Sequence, residues 1–278
     1  MAKKPVVPTE LPSVRKQVVE ITRPLSQLPA EFNSLTHTKA LFLFSVLAGK
    51  SVKAGQLYEV PIEVVRDALR CRDDDHLAEE LQRLDMKIAG EKWAPNKRGW
   101  IRFVPVCLWG EGVVQWEFSS HFVALLEDRS RGWRACDLEV LVSFRSLYAL
   151  RLYLYLAPYV GGGKKVQPPP LSTSELKALL AIPDDAYAGR ASGQIALEMR
   201  RICREITEAK DGFKVSYKRE GARLASAWHH FLIEEGPKQQ RIYLSGAGSA
   251  KPVTPKPVAI EDDAPRNAAI QKWLERQR

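Results

Sequence analysis

Arginine and glutamine side chains recur on one side of a segment that runs from about residue 190 to residue 207. An advance of about 100° per residue along a helix groups them opposite an apolar stripe of Ile195, Met199, Ile202 and Ile206. Arg and Gln suit the edges of guanine and adenine in the major groove of DNA. The spacing therefore predicts a helix that contacts bases through Arg190, Gln194, Arg200, Arg201 and Arg204.

Further cations flank this segment and suit phosphate groups better than bases. Cations on a strand pair beside such a helix usually hold the phosphates next to the groove and add affinity more than sequence choice. The predicted phosphate contacts are Lys214 and Lys218 on the first strand, Arg219 and Arg223 in the turn that follows it, Lys164 and Lys165 beside a Gly-rich loop, and Lys97 and Arg98 earlier in the chain.

Residues that could support catalysis lack the spacing that catalysis needs. Enzymes that nick DNA with a tyrosine nucleophile hold a metal with a His-hydrophobic-His pair, whereas His229 and His230 are adjacent and point to opposite faces of a strand. The run 161–164 (GGGK) lacks the first Gly and the Ser or Thr of a P-loop. We therefore expect no enzyme activity, no catalytic residue, no metal and no cofactor. A nuclease that uses scattered carboxylates stays an open alternative.

Composition favours a polyanionic partner, because the net charge is +9 and the pI is near 9.4. Four widely spaced Cys residues form neither a disulfide framework nor a metal clip, which favours a reducing cytoplasm. The longest apolar run, 40–48, is far shorter than the roughly 18–20 residues of a membrane span. The N-terminus lacks the apolar region of a secretory signal. We expect a cytoplasmic protein without a membrane partner.

Hydrophobic patterning and turn residues predict one order of elements twice. Residues 31–136 contain three predicted helices and then two predicted strands. The helices are 39–47, 62–69 and one that follows Asp73–Asp75 and has Leu77, Leu81, Leu84 and Ile88 on one side. The strands are 100–109 and 113–119, and they flank the turn Gly110-Glu111-Gly112. Residues 137–235 repeat this order, with helices 138–156, 173–180 and 192–207 and strands 213–218 and 224–233.

Three helices followed by a two-stranded wing is the order of a winged helix-turn-helix. The predicted fold is therefore α+β, with tandem winged helix-turn-helix domains at 31–136 and 137–235. Pro-rich and polar stretches predict flexible segments at 1–30, around one strand-like piece at 17–21, and at 236–278.

The segment 143–156 (SFRSLYALRLYLYL) is predicted to be one amphipathic helix with Phe144, Leu147, Leu150 and Leu154 on one face. It resembles a signature helix of the iteron-binding plasmid replication initiators of the RepA/RepE type, in which a segment like F-x-S-x-Y-A-x-R-L-Y-x-x-L opens the second of two winged-helix domains. Residues 204–207 followed by 213–215 resemble that family's K-E-I-N, short loop and strand. The resemblance covers 35–233. Family members usually carry basic residues where Ala191, Ser192 and Gly193 stand, which implies a different iteron sequence.

The resemblance implies a sequence-specific double-stranded DNA-binding protein of the bacterial cytoplasm. Such a protein binds iterons at a plasmid origin, promotes origin opening, takes part in copy control and represses its own promoter as a dimer. Its implied partners are origin DNA, a second copy of itself and a host replicative helicase or initiator. The surface near Glu79 and Glu80 is partly acidic and therefore suits phosphate poorly. We accordingly expect domain 31–136 to provide dimerisation and auxiliary DNA contacts, and domain 137–235 to provide the main DNA contacts. A winged-helix transcriptional regulator without a replication role is the alternative.

Overall fold

The structure is a computed structural model, and the residues that it describes lie between positions 17 and 235. The described residues are 17–26, 34–49, 52–82, 87–89, 100–128, 133–160, 167–183, 186, 193–209, 213–221 and 226–235. Helices and strands are mixed, as predicted. The predicted tail at 236–278 lies outside the described residues.

The N-terminal segment begins with strand β1 (Val18–Thr22) and a short helix α1 (Arg23–Ser26). β1 pairs antiparallel with β7 (Trp133–Asp137), and Val19, Ile21 and Leu25 are buried. The prediction of a flexible segment at 1–30 therefore does not hold for these residues, although the strand-like piece within it is confirmed. Alternating apolar residues on β1 supply one face that packs into the core, while β7 pairs with the edge of the strand.

The first half continues with helix α2 (Leu35–Leu47), strand β2 (Leu57–Pro61), helix α3 (Ile62–Leu69) and helix α4 (Asp74–Gln82). α2 begins four residues earlier than predicted, because the Ser34 hydroxyl accepts a hydrogen bond from the backbone N–H of His37 and acts as the N-cap. α3 begins directly after Pro61, as predicted. The prediction that Ile88 continues the helix after Asp75 is wrong, because α4 ends at Gln82 and Ile88 lies in strand β3 (Lys87–Ala89).

The predicted strand at 100–109 is two strands, β4 (Trp100–Arg102) and β5 (Val106–Gly110), separated by the buried residues Phe103 and Val104. β4 pairs with β3, whereas β5 forms a hairpin with β6 (Val113–Glu117). The predicted turn is confirmed, since Glu111 and Gly112 adopt positive φ angles of 51° and 79°. β2 completes a sheet of order β2-β6-β5, and helix α5 (Ser120–Glu127) follows.

The predicted helix at 138–156 is two helices, α6 (Leu138–Ser143) and α7 (Leu147–Leu156). Phe144 leaves the helical conformation with φ −58° and ψ 138°, and the Ser146 hydroxyl caps α7 by accepting from the N–H of Ala149. α7 is also not amphipathic, because every residue from 149 to 156 is buried. The signature segment is therefore a helix break followed by an interior helix.

The second half then consists of strand β8 (Leu171–Ser172), helix α8 (Thr173–Leu180), helix α9 (Gly193–Glu208) and strands β9 (Phe213–Glu220) and β10 (Trp228–Glu235). The predicted capping box of Ser172 and Glu175 at the start of α8 is confirmed. The sheet order is β8-β10-β9, so the strand before the second helix pairs with the last strand of the hairpin. The first half has this same arrangement in β2-β6-β5.

One hydrophobic core continues through both halves. Phe44 stacks on Trp116 with ring centroids 4.7 Å apart in the first half, and Tyr153 stacks on Phe213 at 5.5 Å in the second. All of these rings belong to a single buried cluster that also includes residues of α6 and α7. Within the described residues, no helix combines the length and the apolar character needed to cross a bilayer.

Candidate nucleic-acid interface

Helix α9 is fixed to the core by one side. Ile195, Met199, Ile202 and Ile206 are all buried, which confirms the predicted stripe. These side chains recur every three to four residues, so they form a single line along the helix and pack it against α7 and β9. A helix of 16 residues held in this way is a rigid rod about 24 Å long.

The opposite side of α9 is open to solvent and basic. Gln194, Arg200, Arg201 and Arg204 are exposed there, and Leu197 between them is 64% exposed. The distance along the axis from Gln194 to Arg204 is about 15 Å, which is comparable to the width of the DNA major groove, about 12 Å. The geometry therefore brings four of the five predicted base contacts onto one convex surface, while Arg190 lies outside the described residues.

Two of the three acidic residues of α9 neutralise this surface only weakly. Glu198 approaches Arg201 at 3.9 Å, but the Arg201 side chain is 71% exposed, and a pair in this setting is worth little. Glu205 is turned toward the start of α7, where its carboxylate accepts hydrogen bonds from the backbone N–H groups of Arg145 at 2.6 Å and Ser146 at 3.1 Å. The third, Glu208, is exposed one turn after Arg204 at the end of the helix, so it offsets positive charge near Arg204 more than near Arg200 and Arg201.

The break between α6 and α7 is held from a second direction as well. Lys39 on α2 donates a hydrogen bond from Nζ to the carbonyl oxygen of Phe144 at 2.7 Å. Burial, helped by the nearby charge of Arg70, lowers the pKa of Lys39 to about 8, while Glu205 acts in the opposite direction. The backbone before α7 therefore connects α2 in the first half with α9 in the second.

Strand β9 separates the predicted phosphate contacts into two groups. Lys214 and Lys218 are exposed on one face with Ser216 between them, whereas Arg219 is half-buried on the other face, beside Tyr217. All three cations lie on the hairpin, but Arg219 is on the other face from Lys214 and Lys218, because successive residues of a strand point to opposite faces. That period of two is a sequence signal which already distinguishes Lys218 from Arg219.

The outer face of the β9–β10 hairpin, which carries Lys214, Ser216 and Lys218, also carries exposed apolar side chains that were not predicted as part of the site. Trp228 is 51% exposed and Leu232 is 46% exposed. Cross-strand pairing places Leu232 opposite Ser216, and His230 opposite Lys218. The hairpin thus offers a mixed surface of cations and apolar groups. The period of two along a strand places Trp228, His230 and Leu232 on one face, and this signal could have indicated the surface from the sequence.

The inner face of the hairpin is fixed to α8 by His229. Its Nδ1 accepts a hydrogen bond from the Tyr217 hydroxyl at 2.7 Å, in the tautomer in which its Nε2–H donates to Thr173 Oγ1 at 2.9 Å. Burial, with the charges of Arg219 and His230, lowers the pKa of His229 to about 4. His230 lies on the other face of β10, which confirms that one metal ion cannot bind both residues. Among the described residues, no group of three or more His, Cys, Asp or Glu side chains is placed to hold a metal ion.

Helix α4, the corresponding helix of the first half, presents a different surface. Asp74, Asp75, His76 and Glu79 are exposed, so this face is largely acidic and suits phosphate poorly. With Arg190, six of the predicted DNA contacts lie outside the described residues; the other five are Lys97, Arg98, Lys164, Lys165 and Arg223.

Comparison with known proteins gives a likeness of fold. No protein-family model matches the chain, and no curated protein matches it. A solved structure described as a Pi initiator protein in complex with iteron DNA superposes with a TM-score of 0.52 and 14% sequence identity. The match covers 80% of this chain and 99% of that one. At this identity the match shows that the two proteins share a fold.

Proposed function

We propose that this protein is a sequence-specific double-stranded DNA-binding protein that starts plasmid replication by binding iterons. The observation that carries the proposal is the outward face of α9, where Gln194, Arg200, Arg201 and Arg204 are exposed on a helix buried along its other side. Such a helix can enter a major groove without rearrangement. The fold shared with an initiator that was solved on iteron DNA supports this choice among DNA-binding functions.

In the proposed arrangement, the two halves are tandem winged-helix domains, 31–136 and 137–235. The second domain places α9 in the groove, with Lys214 and Lys218 on flanking phosphates. The first domain adds auxiliary contacts and self-association, and the dimer represses its own promoter. Several copies bound to neighbouring iterons promote opening of the origin and recruit a host helicase or initiator. The protein acts on DNA without catalysis of its own, in the bacterial cytoplasm.

The repeated order of elements supports tandem winged-helix domains. In each half a single strand before the second helix pairs with the last strand of the hairpin, as in β2-β6-β5 and β8-β10-β9. In the second half β9 also packs against α9, so the helix and the hairpin lie side by side and could contact one duplex together.

A selection of binding sites from random duplexes, carried out at two salt concentrations, tests the proposal. Enrichment of one long, non-palindromic site of about two helical turns is the expected result, because two domains on one chain would contact successive major grooves. Enrichment of a short inverted repeat alone would favour a dimeric transcriptional regulator. No enrichment at either salt concentration would contradict sequence-specific binding.

Plasmid maintenance separates the two remaining functions. A plasmid whose origin contains the selected site should replicate only when the protein is supplied. A regulator would repress a promoter that contains this site but would not sustain the plasmid.

A further inference from the structure

An open cleft borders the basic face of α9. It has a volume of about 640 Å³ and is lined by the residues that start α7, by the segment after α8 and by one side of α9. Arg145 contributes from the break between α6 and α7, and Arg201 contributes from α9. Since Arg201 also belongs to the outward face of α9, the cleft is continuous with that face.

The polar groups in the cleft leave two guanidinium groups available. Arg145 is exposed, and within the described part of the chain only its backbone N–H, and not its guanidinium, is seen in a hydrogen bond. Among the residues that the structure describes, the one acidic group that approaches Arg201 is Glu198, at 3.9 Å. A third arginine of the lining, Arg151, is buried and donates a hydrogen bond to the carbonyl oxygen of Leu180, so it joins α7 to the end of α8. The carboxylate of Glu205 is already engaged by backbone N–H groups.

The backbone at Arg145 is fixed before any ligand arrives. The residue before it, Phe144, is buried, and its carbonyl oxygen accepts from Lys39. The N–H of Arg145 itself donates to Glu205 on α9. Because both sides of this residue are held, an anion that binds its side chain orders only the side chain and not the loop.

We infer that Arg145 binds a backbone phosphate of the duplex that α9 engages, beside the base that Arg201 contacts. The inference rests on the proposed function and deepens it, since it extends the DNA footprint beyond α9 to the start of α7. Guanidinium groups form paired, charge-assisted hydrogen bonds with phosphate oxygens. Arg145 is exposed and lines an open cleft, which suits a polymer backbone that passes across it better than a small enclosed ligand.

The experiment compares Arg145→Ala, Arg145→Lys, Arg201→Ala and Arg72→Ala with the unchanged full-length protein on a duplex with the selected site and on a shuffled duplex. Arg72 is the matched control, because it is an exposed arginine that pairs with Asp73 at 2.7 Å in an acidic segment. Affinity is measured over a series of salt concentrations, and circular dichroism with a thermal melt verifies folding.

We expect Arg145→Ala to weaken both duplexes by a similar factor and to reduce the slope of log affinity against log salt by about one. Arg145→Lys should keep most of the slope, and Arg72→Ala should leave affinity and slope unchanged. An unchanged slope in a folded Arg145→Ala protein, with Arg201→Ala still weakened, would overturn this inference and leave the proposed function standing. Failure of the unchanged protein to prefer any duplex would overturn both.

Discussion

The exposed cations Arg201 and Lys218 of the second half lie on different kinds of secondary structure. Arg201 lies on a helix that is buried along its other side, so its guanidinium is presented on a rigid convex surface. Lys218 lies on a strand near the end of a hairpin, opposite His230. Arg also forms paired hydrogen bonds with guanine, while Lys is a compact point charge. These differences assign Arg201 to base contacts and Lys218 to phosphate contacts in the proposed complex.

Arg201→Ala is therefore expected to lose about 1–3 kcal/mol of binding free energy on the cognate duplex and to relax the choice of base at one position. Lys218→Ala is expected to weaken cognate and shuffled duplexes nearly equally and to flatten the salt dependence. Competition binding on a set of single-base variants of the site measures both effects. Identical behaviour of the two variants would contradict this division of roles.

His229 makes the stability of the second half dependent on pH. Its pKa is lowered from 6.5 to about 4 because the neutral ring is buried between Tyr217 and Thr173. As the pH falls below 6.5, the unfolded chain takes up a proton that the folded protein does not accept until about pH 4. The free energy of unfolding should therefore be highest above pH 6.5 and fall by up to about 3 kcal/mol toward pH 4.

Urea unfolding from pH 7.5 to pH 4, with unchanged protein and His229→Gln, measures this effect. The variant should have a flatter profile, while His76→Gln, which alters an exposed histidine, should follow the unchanged protein. If His229→Gln does not fold, an NMR titration of His229 in the unchanged protein still tests the claim. Protonation of His229 near pH 6.5 would contradict it.

At the scale of elements, the two sheets have similar topology but different exposed surfaces. In the second half, the outer face of the hairpin mixes Lys214 and Lys218 with Trp228 and Leu232. In the first half, β5 lies at one side of the order β2-β6-β5 among the described strands, and its Leu108 and Trp109 are exposed. An edge strand with exposed apolar side chains favours pairing with another strand. This supports self-association through the first half.

Leu108→Lys should accordingly weaken the proposed dimer, because a charge on an edge strand opposes strand pairing. Sedimentation over a range of protein concentrations should show a shift toward the monomer, with binding to a single site retained. Leu232→Lys is the control, since it puts the same charge in place of an exposed leucine of the other sheet. Equal loss of dimer in both variants, or in neither, would exclude the edge of β5 as the contact.

At the scale of the whole molecule, the continuous core makes the stability of each half depend on the other. β1 pairs with β7, which leads directly into α6, and Arg134 of β7 lies over the ring of Phe213 at 4.8 Å. Lys39 of α2 reaches the carbonyl oxygen of Phe144. The proposed tandem domains would thus bind DNA as one body, with the net charge of +9 favouring the approach to a polyanion.

Ile21→Ala tests this dependence. The side chain is fully buried on β1, so its truncation should reduce the free energy of unfolding by about 2–5 kcal/mol. With a shared core, a single transition should move as a whole, and circular dichroism and tryptophan fluorescence should follow it at the same urea concentration. Two transitions, of which only one moves, would show that the halves unfold independently.

The sequence by itself determined the features that depend on neighbouring residues. The buried stripe of α9, the capping box at Ser172 and the turn at Glu111 follow from helix periodicity, capping chemistry and turn preference, all of which act over a few residues. The basic face of α9 follows from the same periodicity.

Only the tertiary structure decided features that depend on partners far along the chain. The helix break before α7 is held by Glu205, 60 residues after Arg145, and by Lys39, 105 residues before Phe144. The partner of β1 is β7, more than a hundred residues later. Local patterning carries no information about such partners, because it reports which residues are apolar and not what covers them. The cleft beside Arg145 exists for the same reason, since three segments form it only after the chain has folded.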